Sequence, residues 1–258
     1  MISRKRGRKL RIKVCLIVIA LLWTLPLSAE AQVSETFLIP GADLSQLVFE
    51  TGAWCRYIVV DEALGQVDST EVYIGIPESE ATDEGPAYWV ELASRPLHAN
   101  PDEGQILRLL VLERITEISE GDSLGRYVRK LYIKKGAQPV EEEDPDSYED
   151  LTLVVPTSEA SWESSPGSKI VTKGGVFDCT KKTRRVESNQ EIPTGKIKLI
   201  KKSRDDYTVW FCDDVPVFRL VKCVIERSRE TDTVPRMTGI PVSGPRYSRS
   251  EAELVEFG

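Results

Sequence analysis

The chain has 258 residues, with 34 Lys and Arg against 41 Asp and Glu, a net charge of −7 and one histidine. Binding to nucleic acid depends on Lys and Arg contacts that release counterions from phosphates, so an acidic chain of this kind is not expected to bind it. A single histidine also leaves the common hydrolytic mechanisms short of their usual proton shuttle.

Residues 1–31 carry the three parts of a cleavable secretory signal. Arg4, Lys5, Arg6, Arg8, Lys9, Arg11 and Lys13 form a basic head. Residues 14–27 are apolar except for Thr24 and Pro26, and Ala29-Glu30-Ala31 offers the small side chains a signal peptidase requires. The apolar stretch falls short of the ~20 residues of a helical span, so cleavage is expected over anchoring. Cys15 stands at the start of that stretch, where lipid attachment is not expected. The mature chain is then expected to begin at about Gln32, to have no transmembrane segment, and to be exported, to the periplasm in preference to the extracellular space. Cleavage leaves 27 basic against 40 acidic residues, a charge of −13.

Residues 32–258 read as one domain. In chain order, the first element is a short helix over 42–50, with Asp43 as N-cap and Leu44, Leu47 and Val48 as its apolar stripe. Strands follow, as β-branched and aromatic runs between turn formers, at 54–60, 70–76, 87–93, 105–118, 126–135 and 151–155. Further runs lie at 169–173, 176–185, 196–201, 207–212, 217–226 and 251–257. Val72, Ile74 and Ile76 share one face, as do Tyr88, Val90 and Leu92, and Tyr127, Leu131 and Ile133. Gly121-Asp122-Ser123 and Ser203-Arg204-Asp205-Asp206 have hairpin-turn chemistry. Residues 136–150, 157–168 and 229–249 are expected as long loops. Val209, Trp210 and Phe211 make one strand apolar on both sides, which predicts that Trp210 is buried and structural. The expected fold is mainly β, a strongly curved antiparallel sheet (half-barrel) with one or two short helices.

Motifs for chemistry are missing. His98 lies in the turn-like stretch Arg95-Pro96-Leu97-His98-Ala99-Asn100-Pro101 and is expected to be exposed. There is no G-x-S-x-G elbow, no phosphate loop and no H-E-x-x-H site, so no enzyme is expected. The acidic run with Asp144, Asp146, Glu149 and Asp150 places Tyr148 where a calcium loop needs a ligand, so it reads as a solvated loop. No metal and no cofactor are expected. Cys55, Cys179, Cys212 and Cys223 lack the close spacing that begins a zinc site. An exported protein permits disulfides, and four cysteines allow three pairings. A tight hairpin at 213–216 would set Cys223 roughly 20 Å from Cys212, beyond bridging distance. A strict meander would put a strand between Cys179 and Cys212. The pairing stays open.

Two groups of residues carry a resemblance. Gly52-Ala53-Trp54-Cys55-Arg56-Tyr57, Val72-Tyr73-Ile74 and Ala87-Tyr88-Trp89-Val90-Glu91 form the first. Val176-Phe177-Asp178-Cys179, Val209-Trp210-Phe211, Val215-Pro216, Leu220-Val221-Lys222 and the closing Ala252-Glu253-Leu254-Val255-Glu256-Phe257-Gly258 form the second. Together they resemble exported bacterial proteins of unknown function that look like relatives of the periplasmic lipoprotein carrier LolA. Phe218-Arg219 stands where that pattern has a glycine, and 229–249 lengthens its last connection. The resemblance implies a curved sheet around an apolar cavity. It makes a non-enzymatic protein holding a lipid, an acyl chain or a lipoprotein partner the leading expectation. Val72, Ile74, Tyr88, Val90, Leu131 and Ile133 are the expected lining, since a buried methylene gains ~0.8 kcal/mol. The alternative is a structural or interaction protein of the cell envelope without small-molecule cargo. A filled interior would favour that alternative, and an open apolar cavity the carrier.

Overall fold

Among the described residues, period-two alternation and frequent turn formers pair into eleven antiparallel strands in one unclosed, curled sheet with almost no helix. The structure, a computed structural model, describes residues 47–98, 103–117, 124–144, 162–194, 197–234 and 245–258. The first half runs β1 (Trp54–Ala63), β2 (Gln66–Thr82), β3 (Gly85–Pro96), β4 (Gln105–Leu112), β5 (Val128–Lys135) and β6 (Glu141–Glu143). The second runs β7 (Glu163–Thr172), β8 (Gly175–Thr194), β9 (Ile197–Phe211), β10 (Leu220–Val234) and β11 (Arg246–Phe257). Each half is a meander, and the order β6-β5-β4-β3-β2-β1-β11-β10-β9-β8-β7 joins them along one seam between β1 and β11. At its end, Trp54 N donates to Gly258 O at 2.8 Å and Gly258 N donates back to Trp54 O at 3.1 Å. Two short 3-10 helices, Glu113–Glu117 and Leu124–Arg126, lie between β4 and β5.

Register breaks bend the sheet, since each bulge adds a residue to one strand and raises the local twist. They fall at Arg56/Tyr57, Gly75/Glu78, Leu110/Val111, Ser165/Ser168 and Leu220/Lys222. On the inner face one continuous core forms, including Tyr57, Val72, Ile74, Leu107, Leu131, Val209, Cys223, Ala252 and Leu254. The outer face of β3–β5 holds a second, smaller cluster of Ala87, Trp89, Leu110 and Leu112. The Arg108 guanidinium lies 4.6 Å from the Trp89 ring centroid and closes that cluster from water.

Several expectations fail for identifiable reasons. Residues 47–50 are not helical; the Val48 amide donates instead to Val217 O at 2.7 Å. The rest of the expected helix, 42–46, lies outside the described residues, as do the turn at 121–123 and the strand at 151–155. Ser203-Arg204-Asp205-Asp206 is not a turn but the middle of β9, paired to β8 and β10 on both sides. Its charges are matched across strands, with Arg185 Nε 2.6 Å from Asp206 and Arg229 paired to Asp205. The strand expected to reach 118 stops at Leu112 and turns into the first 3-10 helix. The loops shrink likewise: 136–150 contains edge strand β6, 157–168 contains the start of β7, and 229–249 is strand as far as Val234 and again from Arg246. Trp210 is only half-buried, with Lys181 Nζ 5.8 Å from its ring, although it and Phe211 pack on the core beside fully buried Val209.

Candidate functional site

The inner face comes first, because the sequence places its expected lining there. Val72, Ile74, Val90, Leu131 and Ile133 all belong to the main core, each no more than 5 % exposed. Tyr88 packs on the same core and stacks on Phe49 at 4.4 Å between centroids. The structure therefore brings all six together on one face. What covers part of that face is the chain itself. The 213–216 hairpin expected from sequence is an eight-residue loop, 212–219, because Leu220 pairs with Phe211. That loop sends Val215, Val217 and Phe218 into the core. Val217 does so at φ 66°, a costly conformation for a β-branched residue, and Arg219 follows at φ 56°. Cys55 Sγ donates to Pro216 O at 3.2 Å, and Tyr57 Oη donates to Leu220 O at 2.9 Å. Leu47 and Phe49 pack beside them.

Burial here has a titration consequence. Loss of water pushes the Cys55 thiol up to about 12 from 9.0, against a smaller lowering by Tyr57. Burial likewise pushes Cys223 and Tyr57 upward. The unfolded chain releases these protons first, so their contribution is complete below about pH 9 and is lost as pH rises toward 12. Each thiol then costs ~1.4 kcal/mol per pH unit. Urea midpoints should be flat from pH 6 to 8.5 and fall steeply above about pH 9. Cys223→Ala should make the fall shallower; an unchanged slope would mean that the Cys223 thiol does not drive it.

A cleft of about 740 Å³ lies where the β1–β2 turn meets β9, β10 and the start of β11. Its walls carry Arg204, Arg227, Arg246 and Arg249 with Glu62, Asp206 and Glu226. Arg185 and then Arg204 hold the Asp206 carboxyl below its usual range. A second cleft of about 310 Å³, lined by residues including Glu187, Lys202, Arg204 and Glu230, adjoins it. Two apolar side chains stand in water at the rim of the first, Leu64 at 76 % exposure and Tyr247 at 69 %. Ala63 pairs with Ser248, so Leu64 and Tyr247 sit at neighbouring strand ends. Leu64 has φ 54°, a left-handed position in a two-residue turn with Gly65 at φ 80°, where glycine or asparagine is the usual choice. Sequence reasoning missed this cleft: Tyr247 falls in the expected loop 229–249, and Leu64 lies between two expected strands. The one legible signal was an apolar residue, Leu64, in a turn position.

His98 is exposed just beyond β3. Among the described residues, no three His, Cys, Asp or Glu groups gather as a metal site would need. No described helix is long and apolar enough to cross a membrane.

No protein-family model and no curated protein matches this chain. Among solved structures it is similar to a candidate lipoprotein from Parabacteroides distasonis, at 12 % identity and TM-score 0.34, over 83 % of this chain and 98 % of that one. It is also similar to a candidate exported protein with a YmcC-like fold from Bacteroides fragilis, at 10 % identity and TM-score 0.30, over 82 % and 98 %. Likeness at this level assigns neither a site nor an activity.

Proposed function

We propose that the mature chain is an exported, non-enzymatic module that binds another protein at the cleft rimmed by Leu64 and Tyr247. The observation that carries this reading is the rim itself. A leucine held in a strained turn and largely offered to water, beside an exposed tyrosine and four arginines, has the make-up of an interface centre. Export rests on residues 1–31. The buried inner face supports an interaction role over a carrier role, since the apolar residues expected to hold a ligand lie in the same core as Val215, Val217, Phe218 and Leu47, with Phe49 packed against it. Residues 47–50 are without regular structure, and this favours one second reading. If that cover lifts, the face below could hold an acyl chain, as the LolA resemblance implies.

The test is photo-crosslinking in the cell, from a benzophenone amino acid in place of Arg246. A discrete adduct is expected. Tyr247→Ala with Leu64→Asn should weaken it by about 2 kcal/mol, roughly thirtyfold. The melting temperature should hold or rise, because asparagine tolerates the left-handed turn. No adduct, or one that survives both substitutions, overturns the reading. Native mass spectrometry of the wild-type protein with co-purified lipid would favour the carrier instead.

A further inference from the structure

We propose that Cys179 and Cys212 form an intrachain disulfide in the exported protein. The strict meander expected from sequence puts a strand between them, but β8 and β9 are direct neighbours. Thr180 pairs with Phe211, so the next register position sets Cys179 opposite Cys212. The type of position follows from one hydrogen bond. Cys212 N donates to Arg219 O at 2.8 Å, on the β10 side of the strand. That amide points away from β8, so toward β8 Cys212 takes a non-hydrogen-bonded position. Pairs at such positions bring Cα atoms to about 4.5 Å, within the roughly 4.4–6.8 Å that a disulfide spans. Opposed residues also share a face, and both thiols are buried, at 2 % and 6 % exposure. Burial and then the neighbouring Cys212 push the Cys179 thiol up, in keeping with two sulfurs close together.

Two pairings through Cys223 do not fit this topology. Cys223 pairs with Val209, three residues from Cys212 along β9, which is about 10 Å. Cys55 is on β1 and Cys223 on β10, with β11 between them. Those two remain thiols, Cys55 donating to Pro216 O.

The reaction is exchange with a disulfide-bearing oxidant, such as glutathione disulfide or an oxidised dithiol protein. One cysteine thiolate attacks a sulfur of the oxidant, forming a mixed disulfide and releasing one thiolate. The second cysteine displaces the other, so two electrons and two protons pass to the oxidant as two thiols. The oxidising surroundings rest on the export reading; the geometry rests on the fold alone.

The purified full chain, equilibrated with glutathione disulfide, is denatured, alkylated with N-ethylmaleimide and peptide-mapped. The expected result is one crosslinked peptide pair joining Cys179 to Cys212, with Cys55 and Cys223 alkylated. Cys212→Ser should abolish the link, and Cys223→Ser should leave it in place. Alkylation of all four thiols, or a link through Cys55 or Cys223, overturns the pair. The same map is made on protein recovered from cells. A link formed in vitro but missing there overturns the oxidised state in the cell through the export reading, and leaves the fold-based pairing standing.

Discussion

Replacing Tyr57 with alanine is expected to lower stability by about 3–5 kcal/mol, the range for removing a large side chain from a packed core. Tyr57 is fully buried in the middle of β1. Its hydroxyl crosses the inside of the curl to Leu220 O at the start of β10, a residue 163 positions away. The side chain therefore ties the first strand of one meander to the 212–219 connection of the other. Tyr57→Phe separates the two contributions. The ring stays, but the Leu220 carbonyl loses a buried donor, which should cost about 1–3 kcal/mol. Urea denaturation measures both. If phenylalanine costs as much as alanine, the hydrogen bond and not the packing dominates. If neither moves the midpoint, Tyr57 does not tie the two meanders together.

Removing β11 should have the largest effect of all. Truncation after Pro245 deletes the strand that joins the two meanders, and with it the buried Ala252 and Leu254. It also exposes two long edges, along β1 and β10, which invite pairing between chains. The expected product shows no cooperative melt and aggregates. Leu254→Ala is the milder version, expected to cost about 2–5 kcal/mol because the side chain is fully buried beside Tyr57 in the register. The ion pairs on the outer side of the seam, Arg56 with Glu71 and Glu256, cannot compensate for this. Exposed pairs contribute about 0–1 kcal/mol each. A truncated chain that still melts cooperatively would mean that each meander folds alone.

Local pattern alone was enough to determine the class of this fold. The alternation of Val72, Ile74 and Ile76, of Tyr88, Val90 and Leu92, and of Leu131 and Ile133 placed those residues on one covered face, because side chains on a strand alternate and only one face was apolar throughout. Scarce helix was legible for the same reason. Polar strands were not legible. Ser203-Arg204-Asp205-Asp206 has the composition of a turn, and only the cross-strand partners Arg185 and Arg229 make it the middle of β9. Ser164 and Ser165 became strand because β8 pairs with them.

Long-range pairing was decided by the tertiary structure. Nothing local in the first and last strands says that β1 and β11 join, yet that seam brings Leu64 beside Tyr247 and builds the cleft. The length of the 212–219 loop depends on Leu220 pairing with Phe211; that register sends Val215, Val217 and Phe218 into the core, and the pairing of Thr180 with Phe211 sets Cys179 opposite Cys212. A strand's pattern states which face is apolar, but what covers that face is settled by residues far away in sequence.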